Sequence, residues 1–142
     1  YIMDFELLQK ALENGKNSNL SELSLEVINK NKNDILQKLQ LDGKTVSKYN
    51  KDLKKYQYID DINILKLGAK IRWIDILDID NISLRVGGFL CSIDTAENYI
   101  ICKVRLFNNK IISIKANQNL IFQQLNDEEI IILKAFKILS KK

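Results

Sequence analysis

From Met3 to about Tyr56 the apolar positions recur every three or four residues, and from about residue 64 they recur every two. The first spacing marks helices and the second marks half-buried strands, so the pattern predicts an α+β chain with helices ahead of a sheet. Residues 3–13 carry one apolar helical stripe, which Asn14-Gly15 and Asn17-Ser18-Asn19 bring to an end. Leu25, Ile28, Ile35, Leu39, Val46, Tyr49, Leu53 and Tyr56 then fit a 3-4 repeat, with Lys32 and Asp42 on the two seam positions that break it. This predicts a long amphipathic helix or a helical hairpin. Asp42-Gly43 is the candidate break, because Gly costs about 1 kcal/mol in a helix interior and Asp-Gly favours turns. A seam of this kind makes 20–57 a candidate coiled coil through which copies of the chain would form a homo-oligomer.

In the second part, residues 69–76 alternate, but the apolar phase moves from Ile71 and Trp73 to Ile74 and Ile76, which predicts a bulge. A turn at 78–81 leads into a strand burying Ile82, Leu84 and Val86. Gly87-Gly88 then resets the phase so that Phe89, Cys91 and Ile93 face inward, the kink a small curved barrel requires. Ile100, Cys102, Val104 and Leu106 alternate, as do Ile112, Ile114 and Ala116. Matching their inward phases places Leu106 opposite Ile112, Arg105 opposite Ser113 and Lys103 opposite Lys115, around an Asn108-Asn109-Lys110 loop in which Asn tolerates the left-handed conformation. Residues 120–122 make a last short strand. Asn126 to Glu129 reads as a reciprocal helix cap with an acidic first turn. The helix that follows over 127–140 has Ile132, Leu133, Phe136 and Leu139 on its apolar side and Lys137, Lys141 and Lys142 toward its end.

Composition narrows the function classes. The net charge is +4 and the pI about 9.0. The charge is unevenly shared: residues 1–60 hold ten Lys against nine acids, an excess of +1, and 61–142 hold twelve Lys and Arg against nine, an excess of +3. This favours anionic partners mildly. There is no His and only two Cys, which excludes His-based triads, Cys-His dyads and single-chain zinc sites of the Cys/His or four-Cys type. Neither a phosphate-cradling loop nor a dinucleotide glycine motif is present, so no cofactor and no enzyme activity is expected. Cys91 and Cys102, both on apolar phases, read as buried reduced thiols. No apolar run approaches the roughly 20 residues that span a bilayer, and the start lacks the basic-then-apolar order of a secretory signal. A soluble intracellular protein is expected.

The three arginines Arg72, Arg85 and Arg105 fall in one stretch of a chain with nineteen lysines, and the guanidinium fork suits anions better than an ammonium does. With Lys103 and Lys115 they predict a phosphate-binding stripe; an ordinary solvated sheet face is the alternative. Trp73, Tyr99 and Phe107 are candidates for an aromatic platform, although the alternation around Trp73 favours the core. Asp75, Asp78 and Asp80 offer carboxylates, but their strand-to-turn setting favours a solvated loop over a metal or acid/base site.

Leu67-Gly-Ala-Lys-Ile-Arg-Trp73, Leu84-Arg-Val-Gly-Gly-Phe-Leu90 and the Tyr-Ile-Ile-Cys-Lys strand that leads to Leu120-Ile-Phe122 resemble SH3/Tudor-like barrel segments in uncharacterised proteins of large DNA viruses infecting amoebae. The absence of Pro and the abundance of Ile, Asn and Lys match an AT-rich source. The resemblance covers residues 64–125 and implies a small five-stranded barrel in a virion or viral factory. It also implies binding of methylated basic peptides or nucleic acid, although Trp73, Phe89 and Phe107 do not make a complete aromatic cage. The expected architecture is therefore a helical segment over 1–60, then a five-stranded barrel with a C-terminal helix over 61–142. The expected function is non-enzymatic binding of nucleic acid or chromatin. The alternative is a virion adaptor that oligomerises through its helices and docks another protein.

Overall fold

The computed structural model describes residues 5–13 and 25–140. The turn expected over 14–19, the seam residues 20–24, and Lys141 and Lys142 lie outside the described residues. The chain divides into two compact units, with one boundary after Asn50 and the other after Gln124.

The helical unit holds α1 (Phe5–Glu13), α2 (Leu25–Gln37), α4 (Asp127–Ser140) and all but the last two residues of α3 (Gly43–Asp52). A core of Ile28, Leu125, Ile131, Ile132 and Leu133, flanked by Leu7 and Leu8, joins α4 to the N-terminal helices. The C-terminal helix therefore belongs to this unit and not to the unit that contains the sheet. Leu139, expected on the apolar side of α4, is 62% exposed. On α2 the buried row is Ile28, Lys32 and Leu36; Ile35 is only half-buried. A straight helix drifts about 20° per heptad from a strict 3.5 repeat, so over eight residues the four-residue row wins.

The two seam failures have different explanations. Asp42 starts α3: its carboxylate accepts the Thr45 N–H at 2.7 Å, and backbone hydrogen bonds from Thr45 hold its carboxyl below the usual range. Before it the chain turns at Leu39 and Gln40, the latter at φ 55°, so the expected long helix is two helices. Lys32 stays in the seam and is buried. At α4 the expected reciprocal cap forms in both directions, with Glu129 N–H donating to Asn126 Oδ1 at 2.8 Å and Asn126 N–H donating to Glu129 Oε1 at 3.1 Å. A cap of this kind is worth about 1 kcal/mol.

The second unit is an open six-stranded antiparallel sheet in the order β1-β6-β2-β3-β4-β5. Its strands are β1 (Tyr56–Tyr58), β2 (Lys70–Asp75), β3 (Gly88–Ala96), β4 (Tyr99–Arg105), β5 (Ile111–Lys115) and β6 (Asn119–Gln124). This is not the closed five-stranded barrel expected from the sequence. An additional strand, β1, pairs with β6, and among the described residues β5 keeps a free edge. Ile71, Trp73, Leu90, Cys102, Val104, Ile114 and Ile121 form the core on one face, so Trp73 is a core residue. Gln123, fully buried beside them, accepts the Lys66 N–H at 2.7 Å and donates to the Ile64 carbonyl at 3.2 Å. It thereby ties the 62–66 turn to the sheet.

Three local expectations change. First, β2 has no bulge: its register with β6 runs unbroken from Ile71 to Asp75, and Ile74 is buried on the face opposite Trp73. A strand covered on both sides loses its alternation, which reads as a phase change. Second, residues 82–86 are not a strand; only Leu84 bridges to Ile74, and Val86 is 67% exposed. Third, the bulge falls at Cys91, where the β3–β4 register shifts between Leu90 and Ser92. Leu90 faces the core ahead of the bulge, so Phe89 is left on the outer face and Cys91 is exposed.

The inward phases of β4 and β5 are as expected, but their register differs by two residues. Val104 opposes Ile112, Lys103 opposes Ser113 and Arg105 opposes Ile111. The reason is the turn. Leu106 N–H donates to the Lys110 carbonyl and Asn109 N–H to the Leu106 carbonyl, so the loop is 107–109 with Asn109 at φ 65°. In a three-residue hairpin the left-handed residue comes last, and Asn109 supplies it only in this register. The like-charge opposition of Lys103 and Lys115 disappears as a result.

The two thiols are free and differ in exposure, with Cys102 buried, its pKa raised by desolvation, and Cys91 exposed. A thiol-reactive chromogenic disulfide is expected to label one site quickly in the native protein and the second only with unfolding. Mass mapping that places the fast label on Cys102 would contradict this arrangement. Among the described residues no helix is long and apolar enough to cross a membrane.

Candidate functional site

The outer face of β3, β4 and β5 is built by strand register. Residues directly opposite across antiparallel strands share a face. One row runs Lys70, Phe89, Arg105, Ile111, and the next two run Ser92, Lys103, Ser113 and Asp94, Ile101, Lys115. Tyr99 and Phe107 flank these rows at the two ends of β4, 37% and 59% exposed.

The exposed Tyr99 and Phe107 and the half-buried Phe89 each have a cation over the ring. Lys70 Nζ lies 5.2 Å from the Phe107 centroid, Arg105 Cζ 5.8 Å from Phe89, and Lys115 Nζ 4.7 Å from Tyr99. Phe89 and Phe107 meet edge to face at 6.1 Å. Such pairs contribute about 0.5–1 kcal/mol at exposed sites, enough to hold side chains in place and weak enough for a ligand to displace. Within β3–β5 the one carboxylate is Asp94, 3.7 Å from Lys103 Nζ, with both side chains about half exposed. An exposed ion pair adds little to stability, so Lys103 remains available to another anion.

The five basic residues singled out by the sequence divide into two groups. Lys103, Arg105 and Lys115 share the outer face, joined by Lys70. Arg72 lies on β2 opposite Phe122, whose ring meets that of Tyr58 at a tilt with 5.7 Å between centroids, and the Arg72 Nε donates to the Arg85 carbonyl at 2.8 Å. Arg72 thereby fastens the 84–87 segment to β2. Arg85 is exposed on that segment, away from the outer face. Of the platform candidates, Tyr99 and Phe107 are on the face and Trp73 is not. Phe89 is a member that the alternation alone assigns inward; the bulge at Cys91 is what turns it out.

Arg85 instead lines a cleft of about 710 Å³, with Trp73, Leu106, Ile112, Ile114 and Lys115 among the other walls. Residues of β2, of β5 and of the 85–87 segment line this cleft together. Nearby, the Asp75 carboxylate accepts the Leu77 N–H at 2.9 Å, and Asp78 begins a short 3-10 turn. Among the described residues no group of three or more His, Cys, Asp or Glu is placed to hold a metal ion. Comparison with protein-family models, with curated proteins and with solved structures returns no match.

Proposed function

We propose that the outer face of β3, β4 and β5 binds single-stranded nucleic acid. The observation that carries this reading is the interleaving of three cation–aromatic pairs on one exposed sheet face. Four cations, Lys70, Lys103, Arg105 and Lys115, stand there against one carboxylate, Asp94. Bases stack on exposed aromatic rings whatever their sequence, while ammonium and guanidinium groups track the phosphates. A base arriving at Tyr99 or Phe107 displaces the cation above the ring, and that cation then reaches the neighbouring phosphate. A duplex offers its phosphates but keeps its base faces stacked, so single strands make fuller use of this surface.

The test is fluorescence anisotropy with labelled oligothymidylate and with a duplex of equal length, across a range of salt concentrations. Single strands lose about 0.7 in log K per log unit of salt for each neutralised phosphate, so three or four contacts give a slope of about −2 to −3. K103E/R105E is expected to flatten that slope by more than one unit. F107A is expected to weaken binding by about 1–3 kcal/mol while changing the slope little. Absence of salt-sensitive binding to either nucleic acid would remove the reading.

A further inference from the structure

Among the described residues β5 ends the sheet, and its far side has no neighbouring strand. The direction of its main-chain groups follows from the hairpin. Leu106 N–H donates to the Lys110 carbonyl, so Lys110, Ile112 and Ile114 turn their peptide groups toward β4. In an antiparallel ladder the alternate residues point the other way, which aims the N–H and C=O of Ile111 and Ser113 at the free edge. Among the described residues nothing bonds to them there. The Lys115 carbonyl, next along that edge, takes Asn119 Nδ2 at 2.9 Å.

The cleft opens beside this edge, on the inner face. Ile112, Ile114, Trp73, Leu106, Val86 and Gly87 are among the residues that line it. A row of unpaired peptide groups next to an apolar recess is the arrangement that strand addition uses: main-chain bonds to the edge, and alternate side chains into the recess. Edge strands invite indiscriminate pairing, and lysines on them suppress it. Here Lys110 and Lys115 bracket the edge, and the cleft lining holds Arg85 and Lys115 against one carboxylate, Asp75. These charges favour an acidic occupant and disfavour a basic one.

We infer that the free edge of β5 and the adjoining cleft bind an extended, acidic peptide segment of a partner protein. The segment adds to the sheet as a further strand, its apolar side chains entering the cleft over Trp73 and its carboxylates meeting Arg85, Lys110 and Lys115. The site shares Lys115 and Phe107 with the proposed nucleic-acid face and is distinguished from it by Arg85, which does not lie on that face, and by the main-chain groups that carry the docking.

Trp73 is the one tryptophan of the chain and lines the cleft, so its fluorescence reports occupancy. The probe is acetyl-(Glu-Val)3-amide, compared with (Lys-Val)3 and with a Glu-Val peptide N-methylated at alternate positions. The acidic peptide is expected to shift Trp73 emission saturably and to slow amide exchange at Ile111 and Ser113. N-methylation, reversal of the peptide charge, and R85E are each expected to weaken binding at least tenfold. R85E is expected to leave oligothymidylate affinity within about twofold, which shows that it folds and separates this site from the outer face. S113P, which removes one edge donor where a strand tolerates proline, is expected to weaken the acidic peptide as much. No emission shift up to millimolar peptide, or N-methylated peptide binding equally well, would overturn the inference. So would protection of Ile111 and Ser113 that rises with protein concentration in the absence of peptide, because a second copy would then occupy the edge.

Discussion

G87A is expected to destabilise the sheet unit by about 2–5 kcal/mol, enough to unfold a large fraction of a marginally stable domain. Two separate effects add. Gly87 sits at φ 93°, where a side chain costs about 1–2 kcal/mol, and a Cβ there would run into the Ile71 carbonyl and lie 2.9 Å from Arg72 Cγ. Overpacking against backbone costs a further 1–3 kcal/mol or so. The neighbouring chain has little freedom to relax, because Arg72 Nε and the Trp73 carbonyl both bond to Arg85 and the next residue, Gly88, packs against the Arg105 carbonyl. The control is G43A, the same chemical change at the first residue of α3, where nothing lies within 4 Å of the added methyl. There the smaller entropy of the unfolded chain predicts a gain of about 0.4–1 kcal/mol. Urea unfolding followed by Trp73 emission measures the sheet and far-UV circular dichroism follows the helices. Equal effects of the two substitutions would show that the crowding at Gly87 is not what selects glycine.

The same glycines mark how far the chain's pattern can be read. Gly87-Gly88 is recognisable as a kink, but periodicity does not reveal what the kink avoids, which is two carbonyls brought close by β2 and β4. The phases of β4 and β5 are legible because one face is buried and the other exposed. Their register is not legible from phase alone, since a two-residue slip preserves it. Only the demand for a left-handed residue at the last loop position selects Asn109. Ile74 misleads for the opposite reason, as burial on both faces of β2 imitates a bulge. The candidate site inherits these limits. Arg105, Lys103 and Lys115 are assigned to one face by alternation in two long strands. Arg72 and Arg85 also lie on polar phases, yet one serves as a fastener and the other borders a cleft, distinctions set by contacts between separate segments and absent from any local spacing. Phe89 enters the face only through a bulge two residues away.

Lys32 offers the clearest separation between a residue that fits the fold and one that stabilises it. It lies in the buried row of α2 with Ile28 and Leu36, 2% exposed, and burial lowers its pKa from 10.5 to about 8. At pH 7 the amine is therefore protonated in both folded and unfolded chains, and the folded state carries the desolvation penalty. A shift of that size corresponds to about 3 kcal/mol at 1.36 per unit; the flexible stem lets the ammonium approach water, so about 2 kcal/mol is the expected gain for K32M, which keeps the length and removes the charge. The pH dependence follows in sign. Because the folded pKa is below the unfolded one, the folded chain binds fewer protons between about pH 8 and 10.5, and stability rises with pH across that window. The advantage of K32M is then largest below pH 8 and shrinks toward pH 10.5. Cys102, Tyr56 and Tyr58 act in the opposite direction, since burial raises their pKa values and the unfolded chain ionises first as pH climbs past their ordinary values. Those contributions are common to both proteins and cancel in the difference, so paired urea titrations at pH 7, 9 and 10.5 isolate Lys32. A K32M protein less stable than the parent at pH 7 would mean that the ammonium gains more from its surroundings than desolvation costs. A difference that stays constant with pH would mean that packing, and not charge, separates the two.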